Sequence, residues 1–353
     1  MALNQITYTD KVENSGATDD GKVLAVDMNE IKSVTNATID SLEGIKVKIG
    51  SNAGQTTQGD YSVAVGNLAG SDTMSTNCVA IGREAGKTTM GTQSVAIGLF
   101  AGKISQGTSS VSLGAYTGEN SQGNNSAAIG NLAGQTSMGE NSVALGVNAG
   151  NDTMGGSSVA IGSSAGKTTM GANSVAIGNN AGLTNQPTNS TCLGNNAQVT
   201  ALNQVQLGNS ATSTYAYGAV QDRSDARDKA DIQDIHLGLD FIKALTPKSY
   251  KFDYREDYRE HTEDEEGNII FDTRKLGEIT HDGTHTRSRL HTGLIAQEVK
   301  QVMDAQGVDF SGYQDHSVNG GDDVLSLGYT QLIAPMIKAI QELEARIAVL
   351  ESK

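Results

Sequence analysis

Ser94-Val95-Ala96-Ile97-Gly98 decides how this chain folds, because the pentapeptide returns at a fixed interval. Close variants are Ser62-Val63-Ala64-Val65-Gly66, Ser142-Val143-Ala144-Leu145-Gly146 and Ser174-Val175-Ala176-Ile177-Gly178. The closing glycines fall at 50, 66, 82, 98, 114, 130, 146, 162, 178 and 194, always a step of 16. Four residues later comes a second glycine, often after Ala, as at Gly70, Gly102 and Gly166. A third follows Met or Gln, as at Gly91, Gly107 and Gly171. A repeat so short and strict belongs to a stacked repeat architecture, not to a globular fold.

Alternation supplies the local structure. In Ser-Val-Ala-Ile, Val and Ile share one strand face while Ser and Ala share the other. The glycine that follows can take the positive φ a turn demands. One coil cannot bury its own aliphatic side chains, so identical coils are expected to stack Val on Val and Ile on Ile. The small residues opposite allow coils or subunits to approach closely. About ten coils at ~4.8 Å each would span roughly 45–50 Å. The pattern fails at its end: Pro187 interrupts the third mark, and Gln204-Val205-Gln206-Leu207-Gly208 arrives after a step of 14. Residues 49–210 are therefore read as a β-repeat shaft.

Composition agrees. The chain has 353 residues, 42 of them Gly, with no Trp and only 5 Phe, too few aromatics for a conventional core along the shaft. The formal net charge is −15, which disfavours a nucleic-acid backbone or an anionic membrane as partner. Residues 49–210 carry only 4 Lys/Arg and 6 Asp/Glu, whereas residues 224–353 carry 15 and 25. Two cysteines, Cys78 and Cys192, make no disulfide framework, and Met1-Ala2-Leu3-Asn4-Gln5 does not open a secretory signal, so cytosolic synthesis is expected. No apolar run approaches the ~20 residues of a membrane span, and no membrane insertion is expected.

Beyond a short junction at 211–223, the chemistry concentrates in Ser224-Asp225-Ala226-Arg227-Asp228-Lys229. A serine five residues ahead of a lysine at a domain boundary suggests cleavage between Arg223 and Ser224. The hydroxyl would attack the Arg223 carbonyl and Lys229 would take its proton. A free lysine has a pKa of about 10.4, so the site must desolvate it or set it beside another cation. Further on, Ile232 to Leu245 reads as a short strand or turn and then a helix stopped by Pro247. Ser249 to Tyr254 reads as a strand with Ile269-Ile270-Phe271 as its partner, and 256–267 as a charged hairpin tip. The last helix, roughly 329–352, places Ile333, Met336, Ile340, Leu343, Ile347 and Leu350 at heptad spacing. His281 and His285 lie among Thr, Gly and Asp with no Cys, so no metal or other cofactor is expected.

Three segments together resemble the intramolecular chaperone domain of phage endosialidases and tail fibres. They are Ser-Asp-x-Arg-x-Lys-x-x-Ile from Ser224, His291-Thr292-Gly293-Leu294-Ile295-Ala296-Gln297-Glu298-Val299, and Leu327-Gly328-Tyr329-Thr330-Gln331-Leu332-Ile333-Ala334-Pro335. Leu294 stands where the family signature has an aromatic. The resemblance implies an α+β domain over 224–353 that assembles chains, ends in a trimeric coiled coil and cuts itself by a Ser224–Lys229 dyad. Asp225, Arg227 and His291 are candidate supports, His291 being equally readable as a packed strand histidine. Ile at one core position and Leu at the other fits a dimer by the simplest rule, whereas the resemblance implies a trimer. The repeats resemble the head repeats of trimeric autotransporter adhesins and of phage fibres. Whether each chain coils alone or three interwind stays open.

Residues 1–48 hold an amphipathic pattern, with Asp27 and Glu30 as a capping box, Met28, Ile31, Val34, Ile39 and Leu42 on one face, and Gly44 as the stop. Tyr8-Thr9-Asp10-Lys11-Val12 and Ala25-Val26-Asp27-Met28-Asn29-Glu30-Ile31-Lys32 resemble the N-terminal segment of many phage tail fibres, which implies docking onto the virion at baseplate or tail proteins. The whole reads as a homotrimeric virion fibre with a bacterial surface receptor, glycan or envelope protein. A bacterial surface adhesin would add a signal peptide and a membrane barrel. A glycosidase tailspike would add a catalytic domain with paired carboxylates. A membrane-tethered transcription factor would add a DNA-binding domain and a membrane helix. A purely structural fibre is the remaining reading.

Overall fold

A computed structural model describes residues 46–353 apart from 261, 264–268, 271, 273 and 320. The amphipathic helix expected near 27–42 lies outside the described residues. The described residues divide into two compact units, one ending at Gln198 and the other Val199–Lys353, so the stretch around Gln204–Gly208 groups with the second unit.

The first unit is a β-solenoid. One parallel sheet runs from Val47–Ile49 through Val95–Ile97 to Thr191–Leu193, joining each coil to the next in the 16-residue register. Val79 pairs with Val95, Ala80 with Ala96 and Ile81 with Ile97. The third mark forms a second, eight-stranded sheet, from Thr57–Gln58 to Thr169–Met170. Each chain therefore coils on itself, with its strand ladders closed within one subunit.

The core is the reverse of the sequence expectation. Ala64, Ala80, Ala96, Ala128, Ala144, Ala160 and Ala176 are wholly enclosed, and Ser62, Ser94, Ser110, Ser142, Ser158 and Ser174 lie beside them. The Val and Ile ladders point outward, leaving Leu113 42% and Leu145 42% exposed. A coil of only 16 residues with two short strands encloses a lumen too narrow for facing rows of branched side chains. Alanine and serine fit, and one long unbranched residue per coil fills the remaining gap. That residue is the Met or Gln at the third mark, before Gly in most coils, Ser75 in one and Pro187 in another: Met74, Met90, Gln106, Gln122, Met138, Met154, Met170 and Gln186 are all buried.

The buried serine hydroxyls and glutamine amide nitrogens are paired within the stack, whereas Oε1 of Gln58, Gln106 and Gln186 has no partner among the described residues. Ser94 Oγ donates to the Gly107 carbonyl at 2.6 Å and accepts from the Ser110 amide at 3.3 Å. Gln106 Nε2 donates to Val95 O at 2.8 Å and Ser110 O at 3.2 Å. Gln can thus replace Met with similar reach. Cys78 takes a serine place in this column, its sulfur donating to Gly91 O at 2.9 Å, and burial pushes its thiol up. The repeating glycine is fixed by geometry: Gly98 has φ +135°, and a Cβ there would lie 2.2 Å from Gly114 O.

The second unit has an α+β core. Helices α1 (Leu239–Ala244), α2 (Ala296–Gln306) and α3 (Ile333–Glu351) accompany short antiparallel strand pairs. Phe241 of α1 meets Phe310 with ring centroids 5.4 Å apart, over Val299 and Met303 of α2. Glu342 of α3 caps α1 by accepting from the Leu239 amide at 2.8 Å. Helix α1 ends before Pro247, as its ring requires. One pairing differs from expectation. Lys248–Tyr250 pairs with His291–Gly293, whereas Ile269–Ile270 pairs with Thr262–Glu263. A 3₁₀ turn at Arg255–Tyr258 turns the chain away first, so the nearer segment closes the hairpin.

The Met/Gln column yields a direct test. Met90→Ala leaves a cavity in the lumen and is expected to cost about 2–5 kcal/mol. Met90→Gln, which reproduces the Gln106 side chain of the next coil with its Nε2 bonded to backbone carbonyls, is expected to cost less than Met90→Ala. Denaturant midpoints of the two variants check the difference.

Candidate functional site

The segment around Ser224 is built by one tight turn. Asp225 caps a 3₁₀ turn at Ala226–Asp228, its carboxylate accepting from the Arg227 amide at 2.9 Å. The Lys229 amide then donates to Ala226 O at 3.2 Å, which bends the chain back on itself. The result places Lys229 Nζ 2.7 Å from Ser224 Oγ and 3.4 Å from Ser224 O.

Two ion pairs frame this contact. Arg223 Nε lies 2.8 Å from Asp228 Oδ2, tying together the residues on either side of the 223–224 bond. Arg227 grips Asp225 through Nε and Nη2, the closest contact being 2.6 Å. That guanidinium holds the Asp225 carboxyl below the usual carboxylate range. Arg223, Ser224, Arg227 and Lys229 all face solvent in the single chain. Arg227 and Asp225 are thus occupied with each other.

The other expected residues sit elsewhere. His291 lies on the strand His291–Gly293, its ring 4.7 Å from Phe252 and 6.2 Å from Tyr250. Among the described residues no hydrogen bond joins it to Ser224 or Lys229. His281 Nδ1 meets Asp253 Oδ2 at 2.9 Å, and the His285 ring packs on Tyr258 at 4.4 Å. Among the described residues no group of three or more His, Cys, Asp or Glu is arranged to hold a metal ion, and no helix is long and apolar enough to cross a membrane.

Two signature segments do meet. The Tyr329 hydroxyl accepts from the Leu294 amide at 2.7 Å, directly over Gly293. A Cβ at Gly293 would stand 2.4 Å from that hydroxyl and 3.1 Å from the Tyr250 hydroxyl. Glycine is needed there so that a phenol can reach the backbone. Burial, followed by the neighbouring Tyr329, pushes the Tyr250 phenol up. Sequence reasoning missed Tyr329 as the bridge, since a tyrosine before a helix carries no signal of its partner. It also missed Asp228, whose role depends on the turn.

Residues 224–308 match the chaperone of endosialidase family. The match begins at Ser224, the residue held against Lys229, and covers the Gly293 strand and α2. Among solved structures, the chain is similar to the collagen-binding domain of the Yersinia adhesin YadA. That likeness has 23% identity over 51% of this chain and 90% of that one, with a TM-score of 0.31. No curated protein sequence matches the chain.

The Gly293–Tyr329 contact predicts a coupling. Gly293→Ala should destabilise the second unit by about 1–3 kcal/mol through the clash with the hydroxyl. Tyr329→Phe alone should cost about 1 kcal/mol for the lost hydrogen bond. Combined, the two should cost less than their sum, and a double-mutant cycle of unfolding midpoints measures this.

Proposed function

We propose that this chain is one subunit of a trimeric fibre of a phage virion, whose C-terminal domain assembles three chains and then detaches itself by cutting between Arg223 and Ser224. The observation that carries the reading is the 2.7 Å contact from Lys229 Nζ to Ser224 Oγ at the first residue of the matched chaperone segment.

Assembly is supported by apolar faces that one chain leaves uncovered. On α3, Ile333, Ile340, Leu343, Ile347 and Leu350 are exposed, Ile340 to 65%, while Pro335 and Ala339 face inward. This is a heptad seam left exposed among the described residues. The shaft has a second such face in its outward Val, Ile and Leu ladders. Covering these side chains contributes about 25 cal/mol per Å² of apolar area removed from water. The occupants are two further copies of this chain, since a face repeating along the shaft is matched in register by an identical shaft. A C-terminal clamp would align the chains before long identical ladders pair out of register.

The chemistry is nucleophilic. Ser224 Oγ attacks the Arg223 carbonyl carbon while its proton passes to the neutral Lys229 amine, and the Ser224 nitrogen leaves with a proton. An ester between Arg223 and Ser224 Oγ results, and water then releases the Arg223 carboxylate. In the single chain Lys229 faces solvent. Packing of the other copies would remove that water and favour the amine, so cleavage follows assembly. Once cut, the shaft persists by its unfolding barrier.

Residues 1–48 are assigned to attachment to baseplate or tail proteins. The shaft's outer turns offer amide ladders, such as Asn180 Nδ2 to Asn196 Oδ1 at 3.1 Å, that suit a glycan or envelope protein on a bacterial host.

Ser224→Ala and Lys229→Met should each yield intact chains, whereas His291→Phe, which keeps the ring packing, should be processed normally. Intact mass of the purified proteins decides it. Cutting at 223–224 in Ser224→Ala would remove the serine from the mechanism.

A further inference from the structure

The bond between Arg223 and Ser224 separates residues 199–223 from the domain they fold with. Upstream of it, residues 211–224 are exposed, Tyr215 to 91%. Earlier still, the backbone is held. Asp322 N–H donates to Thr200 O at 2.7 Å. Ser210 Oγ donates to Asp257 Oδ1 at 3.3 Å and accepts from Arg287 Nη2 at 3.1 Å. At the centre stands His316, whose Nδ1 lies 2.5 Å from Thr200 Oγ1 and 3.1 Å from Gln204 Nε2.

The protonation of that ring is fixed by its neighbours. Gln204 Oε1 accepts from the amides of Thr200 at 2.8 Å and Ala201 at 2.9 Å. The other end of the side chain, presented to His316, is therefore the NH₂ group, which only donates. In the neutral ring Nδ1 accepts from that group and the Nε2 proton faces Ser326 Oγ at 3.0 Å, while the Thr200 hydroxyl beside Nδ1 also reaches Gln204 Oε1 at 3.2 Å. A proton on Nδ1 would face the Gln204 NH₂ group.

We propose that residues 199–210 form a clasp that keeps the C-terminal domain on the rod after the 223–224 bond is cut, and that acid opens it through His316. This rests on the self-cleavage reading for its biological occasion, not for its chemistry. Burial pushes the His316 imidazole below its ordinary range, against the opposing pull of Asp315. Protons therefore bind the free domain more readily than the clasped one. The clasp is at full strength above the ordinary histidine range of about 6.5 and weakens as pH falls through and below it. Of the charged groups around the ring, Asp315 opposes the His316 shift without reversing it, and Asp322, raised by burial, contributes in the opposite sense. Asp315 is engaged by the Ser317 amide at 2.9 Å and hydroxyl at 2.6 Å. Buried Asp322 is raised by burial and faces Arg259, Lys275, Arg255 and Glu278.

The test separates retention from self-cleavage. A specific protease site is inserted after Gly218 in a full chain carrying Ser224→Ala, and the purified assembly is cut with the added protease. Size-exclusion chromatography then follows both fragments at about pH 8 and about pH 5.5, on either side of histidine titration. The fragments should co-elute at the higher pH and dissociate about tenfold or more faster at the lower one, one lost buried hydrogen bond being worth that factor. Gln204→Leu should separate them at both pH values. Gln204→Glu, which keeps the amide-accepting oxygen but offers Nδ1 an acceptor, should reverse the trend and hold better in acid. Separation of the unaltered fragments at pH 8, or retention indifferent to both Gln204 variants and to pH, would overturn the clasp. Self-cleavage is read separately, from the mass of the chain that keeps Ser224.

Discussion

The width of the solenoid lumen governs everything else in the shaft. Sixteen residues per coil leave room for Ala and Ser rows and one Met or Gln, and for nothing larger. The branched residues of the repeat are consequently expelled to the outside, where a single chain cannot cover them. An interior of enclosed Ala96, Ser94 and Met90 stacks coils accurately but buries little apolar area per coil. The aliphatic side chains sit on the outer ladders, which the proposed trimer would cover. Internal fit and the proposed association are thus divided between the two faces of one three-residue strand.

The second unit repeats this division. Phe241, Phe310, Val299 and Met303 close a small core within the chain, while the α3 seam remains open. The Ser224–Lys229 pair lies on exposed backbone, formed by a turn that needs only local residues. Its geometry is set within one chain; in the proposed mechanism assembly would supply the removal of water, so that cutting would follow alignment of the chains.

Much of this was legible in the residues, for identifiable reasons. The 16-residue step and the parallel Val-on-Val register follow from glycine spacing alone, and the coordinates reproduce both. The heptad of α3 was equally plain. The inside–outside assignment was not: alternation says that Val95 and Ile97 share a face, but which face is enclosed depends on lumen width, a property of the closed coil. The Met/Gln column was visible as a mark before the third glycine, yet its function as lumen filler needed the second sheet. In the C-terminal domain, Ser224 and Lys229 could be paired by spacing because the turn between them is short. The partners of Gly293 and Gln204 lie 36 and 112 residues away, at Tyr329 and His316, and no local pattern announces them.

The central claim is that the outward aliphatic ladders and the α3 seam are covered by two further copies of the chain. Sedimentation equilibrium of the full-length Ser224→Ala protein measures this most directly. The account predicts a single species of three chains that persists on dilution. A stable one-chain particle would contradict it.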